Sequence, residues 1–265
     1  MKISKFFNPY LQYIFIVTFL LSANFLQTFE KKPMLFVSKQ NSSVNLNSSF
    51  ISFSSIGHKR LISSLFWIFT ILESDHEHYK KKDLNSWMYL RFKFISDLDP
   101  DFIQVYTFGG LYLSIIKDDI PGATELYKKG LKLFPRNPTL IKDAFFHFYF
   151  QVNDREFARD LLKKNLDLIK DQTLLLSLLA RHETSEGNYE LAFKLLLDRL
   201  KSTNESSPLY NKLKFSLYSI KAEKDLKCLN EIKNNCDLND FNGDRYFQGK
   251  NGYEAKSTWS PFRAK

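Results

Sequence analysis

Glycine and proline are scarce in this chain of 265 residues, which contains 9 of the first and 8 of the second. Numbers this low are unusual for a β-rich or a disordered protein, because turns and unpacked segments use both residues heavily. Hydrophobic residues make up 44% of the sequence, which is enough for a sizeable core. The composition therefore favours a helical protein with a folded interior.

Cysteine is nearly absent as well. Cys228 and Cys236 are the only two cysteines, and they permit one disulfide in an oxidising compartment. A bridge would tie the residues after the last predicted helix back to that helix, and closing this loop would contribute about 2–3 kcal/mol. Two unpaired thiols are the alternative that the sequence leaves open.

The sequence also lacks the short motifs of common enzyme classes. It has no GxSxG, no glycine-rich phosphate loop, no HExxH and no cysteine beside a histidine. Each of these motifs places a nucleophile, a phosphate or a metal ion in a geometry that its chemistry requires. We therefore predict that the protein is not an enzyme and that it binds no cofactor, no metal ion and no small-molecule substrate.

The net charge of +9 is concentrated towards the two ends of the chain. Residues 1–60 carry 7 Lys and Arg against one acidic residue, and residues 201–265 carry 12 against 8. Residues 61–200 are nearly neutral, with 19 basic and 20 acidic side chains. No basic stripe with interleaved aromatic residues runs along one predicted face, as phosphate binding requires. We therefore expect no nucleic-acid partner.

One long uncharged run, Phe6–Phe29, stands near the start of the chain and contains 24 residues. About 20 apolar residues in a helix cross the hydrocarbon layer of a membrane, which is roughly 30 Å thick. Lys2 and Lys5 precede the run, so the positive-inside rule places the N-terminus in the cytoplasm. The run predicts a single transmembrane anchor over residues 1–30 in the inner (cytoplasmic) membrane, with the C-terminal body in the periplasm or outside the cell.

Two other interpretations of this run remain open. A cleaved signal peptide would use Leu21-Ser22-Ala23, which is a poor cleavage site because the apolar run continues beyond it. The third interpretation is a helix buried in the protein core. An anchor and a cleaved signal both export the body of the protein.

Beyond the anchor, residues 31–56 are rich in Ser and Asn and predict a linker. The apolar stretch Leu61–Leu72 has only 12 residues and therefore predicts a buried helix rather than a membrane span. It opens a predicted helical repeat domain over residues 57–235. Residues 236–265 form a predicted tail, in which Asn and Gly pairs indicate a small hairpin.

From residue 101 onwards, apolar residues recur at helical spacing in successive helix pairs. A looser pair over residues 57–98 precedes them, which gives five pairs in all. The four later pairs are Asp101–Lys117 with Pro121–Phe134, Thr139–Gln151 with Arg155–Lys170, Gln172–Glu186 with Tyr189–Ser202, and Leu209–Ile220 with Glu223–Lys233.

Three of these helices have start signals in which a capping side chain stands before a proline. Asp99 precedes Pro100, Asn137 precedes Pro138, and Ser207 precedes Pro208. Each pair combines a capping side chain with a proline that suits the first helical turn. Asn153 followed by Glu156 resembles a capping box.

Three alanines repeat along this region. Ala123, Ala158 and Ala192 are 35 and 34 residues apart, and each opens the second helix of a predicted pair. A period of about 34 residues with a small residue at this point is typical of stacked helix pairs that form a solenoid. The spacing therefore predicts an array in which each pair packs on its neighbours.

The repeat resembles the tetratricopeptide repeat (TPR) family in its membrane-anchored bacterial form. That family has a small residue in the first helix, an alanine opening the second, a large residue four positions later and a closing proline. The residues that match are Gly110, Ala123, Tyr127 and Pro135 in the first repeat, Ala158 and Leu162 in the second, and Ala180, Ala192 and Leu196 in the third.

The resemblance implies an all-α fold, a TPR-like helix-pair solenoid that follows the one N-terminal transmembrane helix. It also implies a groove lined by the first helix of each pair, which binds a peptide or protein partner. By position, the residues that would line this groove are Gln104, Thr107, Asp143, His147, Ser177 and Arg181.

These features together predict a membrane-anchored extracytoplasmic scaffold or adaptor. It would bind protein partners in the assembly of a cell-envelope complex. One alternative is an exported soluble module that binds peptides or proteins after signal cleavage. The other is a metal-binding module or enzyme built on the loop Asp75–His78, which contains two carboxylates and two histidines.

Overall fold

The computed structural model describes residues 9–29, 38–44, 46–250 and 252–263. These residues are mostly helical, with one short two-stranded sheet, so the predicted all-α class is confirmed. The chain divides into two compact units, residues 1–42 and residues 43–265. Each unit is described by itself.

The first unit contains the helix α1 (Pro9–Phe29), which lies within the uncharged run. Its described side chains are exposed, including those of Tyr13, Phe15 and Phe19. The hydroxyl of Thr18 donates to the backbone carbonyl of Ile14 at 2.8 Å, so the helix itself satisfies this polar group. Among the described residues, none of the helices has both the length and the apolarity needed to cross a membrane. Lys2 and Lys5, on which the predicted orientation depends, lie outside the described residues.

The predicted linker differs from what the structure shows over residues 38–54. Two short helices form there, α2 (Lys39–Val44) and α3 (Ser48–Ser54). The side chain of Asn47 accepts a hydrogen bond from the backbone N–H of Phe50 at 3.0 Å and thereby caps α3. Ile51 of α3 packs against the core of the second unit. Leu46 also packs against this core, and Ser43 accepts a hydrogen bond from the guanidinium of Arg91 at 3.1 Å. The Ser and Asn content alone does not reveal these contacts.

Most of the rest of the second unit is a succession of helices, which short connections join except for the longer segment 73–86 between α4 and α5. Four segments adopt π-helical turns, in which each N–H bonds to the carbonyl five residues earlier. In chain order the elements are α4 (Lys59–Leu72), α5 (Trp87–Leu98), π1 (Val105–Gly109), π2 (Tyr112–Ile116), α6 (Ile120–Leu133), α7 (Pro138–Phe146), π3 (His147–Val152), α8 (Arg155–Lys164), α9 (Leu166–Ile169), α10 (Thr173–Ser185), α11 (Tyr189–Lys201), α12 (Pro208–Lys227) and π4 (Cys228–Ile232).

These helices pack mainly on the elements next to them in the chain. The helical stretch 103–116, which contains π1 and π2, packs on α6; α7 packs on α8; and α11 packs on α10 and α12. Ala123, Ala158 and Ala192 are all fully buried at these crossings. The small side chains let the second helix of each pair approach its partner closely.

Two glycines make the first crossing especially tight. A Cβ placed on Gly110 would lie 2.8 Å from the ring of Tyr127, and one placed on Gly130 would lie 2.7 Å from the Cβ of Tyr106. Real Cβ atoms do not approach other heavy atoms this closely. Each tyrosine therefore packs against a glycine of the opposite helix, and the crossing tolerates no larger residue without a shift.

The fourth predicted pair is wrong, because α12 and π4 form one continuous helix instead of two. The connection predicted around Lys221 and Ala222 contains neither glycine nor proline. Nothing in the backbone ends the helix there, so it runs on to Ile232. Leu226, which takes the place of a repeat alanine, packs in a second apolar cluster with Tyr218 and Tyr246.

The tail contains the hairpin where the sequence indicates one. Strands β1 (Phe247–Gly249) and β2 (Gly252–Glu254) pair antiparallel, with Gln248 opposite Tyr253. Polar side chains hold the tail against α12 and π4. The hydroxyl of Tyr246 donates to Asp225 at 3.1 Å, and Asn230 exchanges two hydrogen bonds with the backbone of Tyr253, at 2.7 and 3.1 Å.

Candidate functional site

Gln104 and Thr107, which are predicted to line a groove, lie on the helical stretch 103–116. Gln104 is exposed, whereas Thr107 is half-buried and its hydroxyl donates to the backbone carbonyl of Ile103 at 3.3 Å. Thr107 therefore has only part of its surface open to a partner. Gln104 is the more accessible of the two.

The same stretch exposes three large apolar side chains. Phe108, Leu111 and Ile115 are 46%, 43% and 55% exposed, and they recur every three or four residues. Val105 and Leu113, on the other side of the stretch, are fully buried in the core. The stretch thus carries apolar side chains on both sides, although only the side with Val105 and Leu113 is needed to fill the core.

His147 does not line an open groove, because the structure buries it. The Nε2 atom lies 2.8 Å from the Thr124 hydroxyl, and the Nδ1 atom lies 2.8 Å from the Ser114 hydroxyl. Thr124 already donates its proton to the carbonyl of Ile120, so Nε2–H donates to Thr124 and Nδ1 accepts from Ser114. Burial lowers the pKa of His147 to about 4, so the ring is neutral at pH 7.

Asp143, on the same helix as His147, is half-buried. Burial raises the pKa of its carboxyl group, and the ammonium of Lys142 at 3.6 Å lowers that pKa in part. One turn after His147, Phe150 is 57% exposed and its ring stacks on Phe146. The side chain most accessible to a partner on this helix is therefore the aromatic ring of Phe150 and not the carboxylate of Asp143.

Ser177 and Arg181 lie on α10, where Leu174 is 62% exposed. Ser177 is half-buried. The guanidinium of Arg181 lies over the ring of Phe262, 4.7 Å from its centroid, so the tail of the chain contacts this predicted groove residue, which remains exposed.

Sequence reasoning missed the apolar side chains that lie beside the predicted polar ones. These residues belong to the apolar pattern of each helix, but the spacing alone does not distinguish them from the positions that fill the core. All of them lie on the helix predicted to come first in its pair. We call them the exposed apolar set: Phe108, Leu111, Ile115, Phe150 and Leu174.

The predicted site residues lie on helices that are neighbours only in part. α7, which carries Asp143, packs on π1, which carries Thr107. α10, which carries Ser177 and Arg181, packs on α8, α9 and α11. Gln104, Thr107 and Asp143 therefore belong to adjacent helices, and Ser177 and Arg181 to a later one.

The loop Asp75–His78 does not gather its side chains around one point. The carboxylate of Asp75 forms an ion pair with Lys117, whose side chain is buried, while His76 and His78 are exposed. Among the residues that the structure describes, no group of three or more His, Cys, Asp or Glu side chains is arranged to hold a metal ion.

Cys228 and Cys236 are joined by a disulfide, with their Cα atoms 5.7 Å apart. Cys228 begins π4, and Cys236 follows it in the first turn of the tail. The bridge closes a loop with a sequence separation of 8 residues. It fixes the direction in which the tail leaves the last helix.

No protein-family model, curated protein or solved structure matches this chain.

Proposed function

We propose that the chain is a membrane-anchored extracytoplasmic scaffold or adaptor, which binds protein partners in the assembly of a cell-envelope complex. The observation that carries this proposal is the exposed apolar set. Large apolar side chains on helices whose other sides already fill a core are typical of surfaces that bind other proteins. The near-neutral charge of residues 61–200 is consistent with apolar contacts to a protein.

A TPR-like solenoid is the architecture that we propose for residues 103–201. Its support is the packing of each helix on its chain neighbours, together with the buried alanines at a period of 34 to 35 residues. In an array of this kind the first helices of successive pairs lie side by side and offer one extended surface. Asp143 and Gln104 would supply polar contacts at the edge of that surface.

The localisation, a membrane anchor with the body of the protein outside the cytoplasm, is proposed from the sequence. The run Phe6–Phe29 carries no charge, and lysines precede it, which is the pattern of an uncleaved anchor with an exported body. A reporter that is active only outside the cytoplasm, fused after residue 265, should be active. Activity of a reporter that functions only in the cytoplasm would contradict this localisation. An exported soluble form is the alternative, and a mature N-terminus near Asn24 in the soluble fraction would support it.

Site-specific crosslinking tests the partner surface. A photoreactive amino acid at Leu111 or Ile115 should give a discrete crosslinked product in cells. Glu125 and Lys128, which are exposed on α6, provide matched control positions on a second helix. Products of equal yield from both helices, or from the controls alone, would contradict a partner surface on the first helices.

A further inference from the structure

The last described residues of the tail are seated on two helices of the array. Phe262 is only 7% exposed and packs in the main apolar core. Its ring lies against the guanidinium of Arg181 on α10, and its backbone N–H donates to the carboxylate of Glu223 on α12 at 3.0 Å. The next residue, Arg263, forms an ion pair with the same carboxylate. Two side chains of the helices thus hold two consecutive residues of the tail.

The chemistry of this contact is selective. Glu223 is 4% exposed, and a buried carboxylate requires hydrogen-bond donors or a cation as partners. The backbone N–H of Phe262 is the donor and the guanidinium of Arg263 is the cation, while the ring of Phe262 lies against one side of the exposed guanidinium of Arg181. The site therefore accepts an extended segment that presents an aromatic residue followed by a basic residue.

The contact between the tail and Glu223 is partly exposed to solvent, and a cavity lies next to it. The side chain of Arg263 is 53% exposed although its partner is buried. A cavity of about 770 Å³ lies beside Glu223 and Arg263, between α12 and the segment Tyr253–Trp259. A bound segment therefore has space to extend along α12 from the same point.

The tail has further attachments, which do not depend on Phe262 and Arg263. The hairpin is fixed to α12 and π4 by Asn230, by Tyr246 and by the disulfide. Loss of the contact at Phe262 and Arg263 would leave those attachments in place. The two residues can then leave the helices while the rest of the tail stays bound.

We propose that Arg181 and Glu223 form a binding site for an aromatic–basic segment of a protein partner, and that Phe262 and Arg263 of the chain itself occupy this site as an intramolecular competitor. The proposal rests on the proposed function as a partner-binding protein. A tethered segment has an effective concentration on the order of millimolar, so it weakens the apparent affinity for a partner until it is displaced.

A fluorescent peptide with the sequence of residues 258–265, TWSPFRAK, is the probe that tests this site. The full chain should bind it weakly. The double variant Phe262→Ala/Arg263→Ala should bind it at least about tenfold more tightly, because the tethered competitor no longer fills the site. Glu223→Gln added to that variant should remove the gain. A peptide with both the Phe and the Arg replaced by Ala should not bind any variant.

The matched control is Phe247→Ala/Arg245→Ala, which removes the same side-chain types from an exposed part of the tail. It should bind the peptide as weakly as the unaltered chain. If Phe262→Ala/Arg263→Ala loses its helical circular dichroism, Phe262→Leu/Arg263→Ala replaces it, since leucine keeps an apolar side chain for the core but removes the ring from Arg181. Equal binding by the unaltered chain and the variant, or binding that Glu223→Gln leaves unchanged, would overturn the proposal. Crosslinking from Leu111 reports on the proposed function independently, so the two can fail separately.

Discussion

The helices of residues 103–201 and the segment that follows them, residues 208–263, are stabilised in different ways. The first region relies on apolar crossings, where Ala158 and Ala192 are fully buried and Gly110 touches the ring of Tyr127. In the second region, α12 also packs through buried apolar residues such as Leu217. The tail that follows π4 adds a disulfide and polar side chains that bind the backbone or each other to the apolar contact of Tyr246 with Leu226. From this difference we expect the helices to form the scaffold and the tail to be an attachment that opens more easily.

The largest loss of stability is expected where the crossing is tightest. Tyr127→Ala should lower the free energy of unfolding by about 3–5 kcal/mol, because it removes a fully buried ring and leaves a cavity beside Gly110. Denaturant unfolding measures this change. Tyr127→Phe is the matched control: the buried Tyr127 hydroxyl has no hydrogen-bond partner among the described residues, so its removal should cost nothing or stabilise slightly. A large cost for Tyr127→Phe would show that the hydroxyl is satisfied.

The second prediction concerns pH and the same crossing. The folded pKa of His147, about 4, lies below its ordinary value of 6.5, so between these pH values the unfolded chain binds a proton that the folded chain does not. The contribution of the neutral, buried His147 to the free energy of unfolding is therefore fully present above pH 6.5. It is lost as the pH falls towards 4, by about 3 kcal/mol in total.

His147→Gln isolates this effect, because glutamine can accept from Ser114 and donate to Thr124 but does not titrate. The difference in unfolding free energy between the two proteins should change with pH between 6.5 and 4. Burial raises the pKa of Asp143 and Asp119, which acts in the opposite direction, but both groups are present in both proteins. A pH-independent difference would contradict the neutral buried histidine.

The third prediction concerns the tail. Cys228→Ser/Cys236→Ser should lower the free energy of unfolding of the tail by about 2–3 kcal/mol, because the unfolded segment regains the freedom that the closed loop removes. Trp259 fluorescence measures it in a background in which Trp67 and Trp87 are replaced by Phe, because the chain has three tryptophans and only Trp259 lies in the tail. A reducing agent should destabilise the unaltered protein similarly and leave the double variant unaffected. An identical transition in all samples would show that the bridge contributes little.

The smallest effect is expected from overpacking one crossing. Ala158→Leu should cost about 1–3 kcal/mol, because the added atoms have no space in a fully buried position. Lys164→Leu adds the same side chain at an exposed position of α8 and should change stability by less than about 0.5 kcal/mol. Equal midpoints for the two variants in thermal unfolding would place Ala158 outside the helix crossing.

The sequence was informative where structure depends on local signals. Asn137 and Ser207 accept hydrogen bonds from the N–H groups of Leu140 and Leu209 and start helices next to their prolines. The same signal was wrong at Asp99, which ends α5 instead of starting a helix, and α8 is capped by Asp154 and not by Asn153. The buried alanines follow from the period of the apolar pattern. Local signals did not reveal that α12 continues through Ala222, because the absence of a helix breaker is weaker information than its presence.

Long-range contacts were beyond the sequence. Arg181 and Phe262 are distant in the chain, and no local pattern indicates that the tail returns to α10. The burial of His147 depends on Ser114 and Thr124, which come from two other helices. The exposed apolar set was overlooked for a related reason: the same spacing describes a core residue and a surface residue until the packing partners are known.

Native-state hydrogen exchange of the unaltered protein tests most directly whether the helices and the tail are separable. We predict that the tail amides, such as those of Tyr253 and Phe262, exchange through local opening with protection factors at least about tenfold below those of α10 and α11. Tail amides that open with the same free energy as those helices would contradict the account, because the tail would then leave its contacts only when the whole unit unfolds.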